Sequence, residues 1–272
     1  MPTKISHYVA ALVVLVTAGS SLAQDGALRP IIERKGQISE VPGTKFNASH
    51  PAETRPNGPR LPPAMSISIM ACPGVPVHVA AASLEEQRLV CSAATDALQL
   101  LGRCEVSLRR PLDIEISRLV RNPFGGAIFG RFDIKQEVVF ITQYANAAAL
   151  AEGTPYSEFP LADFYRSLVV HEVVHGVMYQ NYERQPSSRA AVEYPAYALQ
   201  LASLPTRVRD KFLQSFNDRP VRSDLLFNDM ILGFDPYYFA ARAYEHFATS
   251  PDGCDRLLPL LDGEVDFVVA LQ

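Results

Sequence analysis

At 272 residues, with 48% hydrophobic and 20% charged positions, the chain has apolar content enough for a core, which excludes wholesale disorder. A formal charge of −4 and the lack of any Lys/Arg-rich block exclude a surface built to grip nucleic acid, because phosphate binding needs concentrated positive charge. The length admits one large domain or two small ones.

The start of the chain has the order of a secretory signal. Lys4 and His7 give a short polar opening, residues 8–18 are apolar, and Ser21-Leu22-Ala23 puts small residues at the cleavage positions. The apolar run falls short of the roughly 20 residues that span a bilayer, so residues 1–23 are expected to be removed rather than to anchor the chain. No later stretch reaches spanning length, and a secreted or periplasmic protein without membrane insertion is expected. Residues 24–64 are polar and rich in Pro and Gly and read as a flexible leader. From residue 65 onward a single domain is expected, with a helical subdomain over 201–272. Four cysteines remain after export: Cys72, Cys91, Cys104 and Cys254. An even count in an oxidising compartment predicts two disulfides, with Cys91–Cys104 and Cys72–Cys254 the favoured pairing. None shows C-x-x-C spacing, which argues against a structural zinc knot.

Short β-branched runs bounded by Pro and Gly predict strands at 66–70 and 75–80. Ser83-Leu84-Glu85-Glu86 is a capping box in which the Ser hydroxyl and Glu86 satisfy each other's free amides. It opens a helix to about 101 with Leu84, Arg88, Cys91, Thr95 and Leu98 along one side, ended by Gly102. Strands follow at 106–108 and 112–120, a turn at 122–126, and a hairpin of 127–132 with 137–142 around 133–136. A short helix is predicted at 144–152 and a long one at about 162–180. After the breaker 185–188 and a helix near Glu193, more helices are expected at 205–216, 223–232, 236–248 and 254–261. The fold class is therefore α+β: a small, mixed, mostly antiparallel sheet packed on a central helix, followed by a mainly helical C-terminal part.

The central helix carries the chemistry. Phe164, Leu168, His171, His175 and Met178 recur at spacings of four, three, four and three, the inward face of an amphipathic helix. Within it, His171-Glu172-Val173-Val174-His175 is an H-E-x-x-H pentapeptide. Histidines four apart lie one above the other, where one Zn²⁺ can take both, with Glu172 beside them to draw a proton from metal-bound water. A sheet followed directly by such a helix resembles the zincin metallopeptidases, and the stretch from about 80 to 197 resembles the catalytic core of a gluzincin. That resemblance implies a zincin-like fold and a third ligand, a Glu, on the next helix.

A catalytic zinc takes three protein ligands and keeps a fourth position open. The metzincin continuation would need Gly at 178 and His at 181, and this chain has Met178 and Asn181. Glu193, eighteen residues after His175 and beyond the breaker, would return level with the pair on an antiparallel helix, as in gluzincins. Glu245, beside His246, is the reserve. Two positions depart from the gluzincin pattern. Many gluzincins place an Asp four residues after the ligand Glu, where this chain has Tyr197, and Pro195 requires that the helix start near it or kink. The resemblance implies an exported zinc peptidase acting on peptide or protein, with Glu172 as general base. A donor to the developing oxyanion is expected among Tyr194, Tyr197, Tyr237, Tyr238 and His246, with Tyr238 and His246 carried as candidate catalytic residues. The competing expectation is a catalytically inactive zincin-like binding or envelope-assembly protein. A zinc carrier is disfavoured, since no His-rich or Cys-rich tract is present.

Overall fold

A computed structural model describes residues 67–81, 83–216, 227–251 and 253–267. The expected signal peptide (1–23), the leader (24–64) and the first residues of the helix expected at 223–232 lie outside the described residues.

A five-stranded sheet and a set of helices make a mixed α+β fold. The strands are β1 (Ser68–Ala71), β2 (Val77–Ala81), β3 (Leu112–Ser117), β6 (Gly130–Asp133) and β7 (Val138–Thr142), in the order β1-β2-β3-β7-β6. Alternation sets the buried face: Val77, Val79 and Ala81 on β2, Leu112 and Ile114 on β3, Val139 and Ile141 on β7 point into the core. The mostly antiparallel sheet expected from the sequence is corrected. The outer pairs β1–β2 and β6–β7 are antiparallel, but the inner pairs β2–β3 and β3–β7 are parallel. For β2–β3 the reason is α1 (Leu84–Gly102), which crosses between the two strands and brings the chain back in the same direction. The 127–132/137–142 hairpin forms as β6 and β7, while β4 (Val120–Arg121) and β5 (Ala127–Ile128) make a separate two-stranded ribbon. Residues 106–108 form no strand.

Ser83 caps α1 by accepting the Glu86 amide at 3.4 Å. The other half of the expected capping box does not form. Glu86 is buried and instead accepts the Tyr165 hydroxyl at 2.9 Å and the Tyr144 amide, tying α1 to α2 (Tyr144–Ala151) and α3 (Leu161–Asn181). The side of α1 that carries Leu84, Arg88 and Leu98 is not the one turned to the core. Leu84 is exposed, and the buried face is Gln87, Val90, Cys91, Ala93, Ala94, Ala97 and Leu101, whose alanines let α3 approach closely.

Two disulfides form, as the even cysteine count predicts, but the favoured pairing is corrected. Cys72 joins Cys91, fixing the turn after β1 to α1, and Cys104 joins Cys254, fixing the end of α1 to α8 (Cys254–Leu261). Cys91 sits inside α1 eleven residues before its end, so about 16 Å of helix separates it from the region of Cys104, far beyond the roughly 7 Å that a disulfide spans.

The C-terminal part is helical: α4 (Arg189–Ala202), α5 (Thr206–Gln214), α6 (Asp229–Phe234), α7 (Pro236–Phe247) and α8. Helix α3 lies at the centre, packed by α1 and the sheet on one side and α4 on the other, and is buried nearly all round from Phe164 to Met178. Gly176 makes the close seat possible, since a Cβ there would stand 2.9 Å from Leu112 of β3. No described helix is long and apolar enough to cross a membrane.

Candidate metal centre

Helix α3 runs one residue beyond the expected 162–180 at each end, and its burial turns both imidazoles inward. The 185–188 breaker then reverses the chain into α4. Of the two expectations for Pro195, a helix start near it is excluded: α4 starts at Arg189 and carries Pro195 inside it, with its first turn capped from several sides. Ser188 accepts the Ala191 amide at 3.0 Å, Asp229 accepts the Ala190 amide at 2.7 Å, and Asp266 accepts the amides of Ser187 and Ser188. Those caps hold α4 so that Glu193, one turn in, faces the histidines.

The three expected ligands meet. Nε2 of His171 lies 3.1 Å from Nε2 of His175, and Oε2 of Glu193 lies 3.3 Å and 3.6 Å from those two nitrogens. Zinc bonds of about 2.0–2.1 Å in a tetrahedron set donor atoms about 3.3–3.4 Å apart, and the three observed edges bracket that value. Both oxygens of Glu193 are buried, and Oε2 is paired with the two imidazoles. Burial alone would raise the Glu193 pKa, but the charges and N–H groups of His175 and His171 hold its carboxyl far below the usual range. Two ring nitrogens and a carboxylate oxygen thus meet in one buried, ion-paired cluster that has the donor set of a metal site.

Glu172 stands on the same helix, buried, its Oε2 without a hydrogen-bond partner. Burial pushes its pKa up to about 8, with His171, Arg131 and the Phe132 amide opposing the rise. Edge strand β6 presses on it: an added Cβ at Gly130 would stand 2.8 Å from Glu172 Cγ.

The first histidine is oriented by a residue that the sequence did not single out. Gln200 Oε1 lies 3.0 Å from His171 Nδ1, and the Gln200 amide reaches Ser167 Oγ at 3.4 Å. With Oε1 as acceptor, Nδ1 carries the proton and Nε2 keeps its lone pair for the ligand position. Gln200 follows Glu193 by seven residues, two helical turns, so both point from the same face of α4 toward α3. Tyr197, at the position where many gluzincins have Asp, packs edge-on against His171 with ring centroids 4.7 Å apart. Burial and then the Glu193 charge raise its hydroxyl well above the ordinary tyrosine range.

The other expected donors make contacts of their own. Tyr238 lies under the Arg242 guanidinium, 5.1 Å from ring centroid to carbon, with Phe216 beside it. His246 Nδ1 meets the Tyr194 hydroxyl at 2.7 Å, and both rings pack on Phe227. Glu245, the reserve ligand, pairs with Arg242 at 2.5 Å. Tyr237 packs edge-on against Tyr156, 5.3 Å between centroids. Tyr156 was not foreseen either. It is buried, its hydroxyl lacks a hydrogen-bond partner, and the charge of Glu193 reaches it.

No curated protein and no solved structure matches the chain. The model of DUF6639, a family of unknown function, matches residues 77–270, which include every residue of this centre, and the chain belongs to that family.

Proposed function

We propose that the protein is an exported, zinc-dependent peptidase of gluzincin type, with a zincin-like fold. The observation that carries this reading is the convergence of His171 Nε2, His175 Nε2 and a Glu193 oxygen at 3.1–3.6 Å from one another, with Glu172 on the same helix turn. In this reading His171, His175 and Glu193 hold the metal, which when bound supplies a Lewis acid that polarises a scissile carbonyl and acidifies water. Gln200 fixes the tautomer and tilt of His171. Glu172 takes a proton from the attacking water and returns it to the leaving amine. Tyr197, against His171, is the tyrosine best placed to face developing negative charge. The two disulfides fit an oxidising compartment, in keeping with export to the periplasm or beyond.

A second reading is favoured by one specific observation. His171, Glu172, His175 and Glu193 are each no more than 4% exposed, as suits a metal that braces α3 against α4 in a catalytically inactive binding protein. The Glu172→Gln variant separates the two. A peptidase keeps its zinc and loses hydrolysis of a mixed peptide library by at least about a hundredfold. A wild-type protein that binds zinc and cleaves nothing leaves the second reading standing.

A further inference from the structure

A cavity of about 480 Å³ lies between the 3₁₀ turn Pro155–Glu158, α5 and the start of α7. That volume falls in the range of small-ligand sites, roughly 300–1,000 Å³. Phe159, Phe212, Phe216, Phe234 and Tyr237 line it, among polar residues that include Thr154. The rim carries Lys211 and Glu158, an exposed ion pair at 2.8 Å, so the entrance is close to neutral. The carboxylate of Asp235, also on the wall, is committed to capping α7 through the Tyr238 amide at 2.9 Å. The lining thus offers rings rather than a free charge to an occupant.

One aromatic layer joins this cavity to the metal centre. Tyr156 stacks on Phe212 at 5.6 Å, meets Tyr237 edge-on at 5.3 Å, and stacks on Phe164 at 5.0 Å. Phe164 is on α3, two turns before His171 and on the same inward face. Cavity wall, Tyr156 and Phe164 therefore form one packed series that reaches the helix of His171.

We propose that this cavity is the specificity pocket of the metal centre, receiving an aromatic side chain of a peptide substrate. The proposal rests on the peptidase reading, so its test is made by binding rather than turnover. Two capped peptides, acetyl-Ala-Phe-Ala-amide and acetyl-Ala-Ala-Ala-amide, are titrated calorimetrically into full-length zinc-loaded Glu172→Gln protein. Ser215→Trp in that background fills the mouth from an exposed position at the end of α5, with circular dichroism as the control for folding. The phenylalanyl peptide should bind at least about tenfold more tightly than the alanyl one, as burial of one phenyl ring implies, and Ser215→Trp should erase the difference. Equal binding of the two peptides overturns the proposal, as does a preference that survives in folded Ser215→Trp. Octanoate binding that Ser215→Trp abolishes, without any peptide preference, also overturns it and marks an acyl-chain site. A peptide preference beside a wild-type protein that hydrolyses nothing would sink the peptidase reading and leave the pocket in place.

Discussion

Replacing Gly130 by Ala tests how Glu172 is positioned without invoking any metal. An added Cβ would lie 2.8 Å from Glu172 Cγ, 3.0 Å from Glu172 Oε1 and 2.9 Å from the Phe140 carbonyl oxygen. The glutamate could shift, but the Phe140 carbonyl belongs to the backbone of β7, the strand to which β6 is paired. Gly130 is not in the left-handed region, so alanine brings no backbone strain there. Alanine would even recover roughly 0.4–1 kcal/mol by restricting the unfolded chain. Overpacking of this kind costs about 1–3 kcal/mol, which leaves a net loss on the order of 1–2 kcal/mol. For a domain of this size that lowers Tm by roughly 2–8 °C. Gly102→Ala is the matched control: it ends α1, meets open space, and should be neutral or up to about 1 kcal/mol more stable. Urea titration of the three proteins reads the difference directly. A Gly130→Ala protein as stable as wild type would show that β6 does not press on Glu172, and this account of its placement would fall.

Gln200→Ala removes the acceptor from His171 Nδ1 and should weaken zinc binding about 10–100-fold in a chelator competition; unchanged affinity would mean that the tautomer is set otherwise. Loss of Cys104–Cys254, which closes 150 residues, should cost about 5 kcal/mol on the chain-entropy estimate, against about 3 for Cys72–Cys91, which closes 19. Paired Cys→Ala variants compared by urea titration should therefore rank in that order. Asp266 is drawn below its usual 3.8: burial would raise it, but bonds from Ser187 and Ser188 outweigh that. Its contribution is fully present above pH 3.8 and fades as pH falls through its lower folded value. Asp266→Asn should weaken the fold at neutral pH and flatten its loss of stability below about pH 4, and an unchanged acid limb would contradict the cap.

The sequence was most informative where one element carried its own signal. Helix α3 is a continuous apolar stripe with the two histidines in phase, and its ends fall within a residue of the expected ones. The meeting of Glu193 with the pair followed from a short breaker between two helices. Other features were legible but needed one more step. A helix between two strands implies a parallel crossover, which the β2-α1-β3 order already contained, and a helix through Cys91 forbids its bond to Cys104. Gln200 shares a face with Glu193 by helical spacing alone. The caps of α4 were not legible, because Asp229 and Asp266 arrive from 39 and 79 residues away. Nor could the aromatic residues be sorted. Tyr194, Tyr197, Tyr237 and Tyr238 are alike as residues, and only tertiary packing sends one to His171 and another beneath Arg242.

Metal content of the purified protein, wild type beside Glu193→Ala and Glu193→Gln, tests the central claim most directly. The account predicts one zinc per chain in wild type, lost or much weakened in both variants while circular dichroism stays that of a folded protein. A folded wild type that takes up no zinc would contradict it.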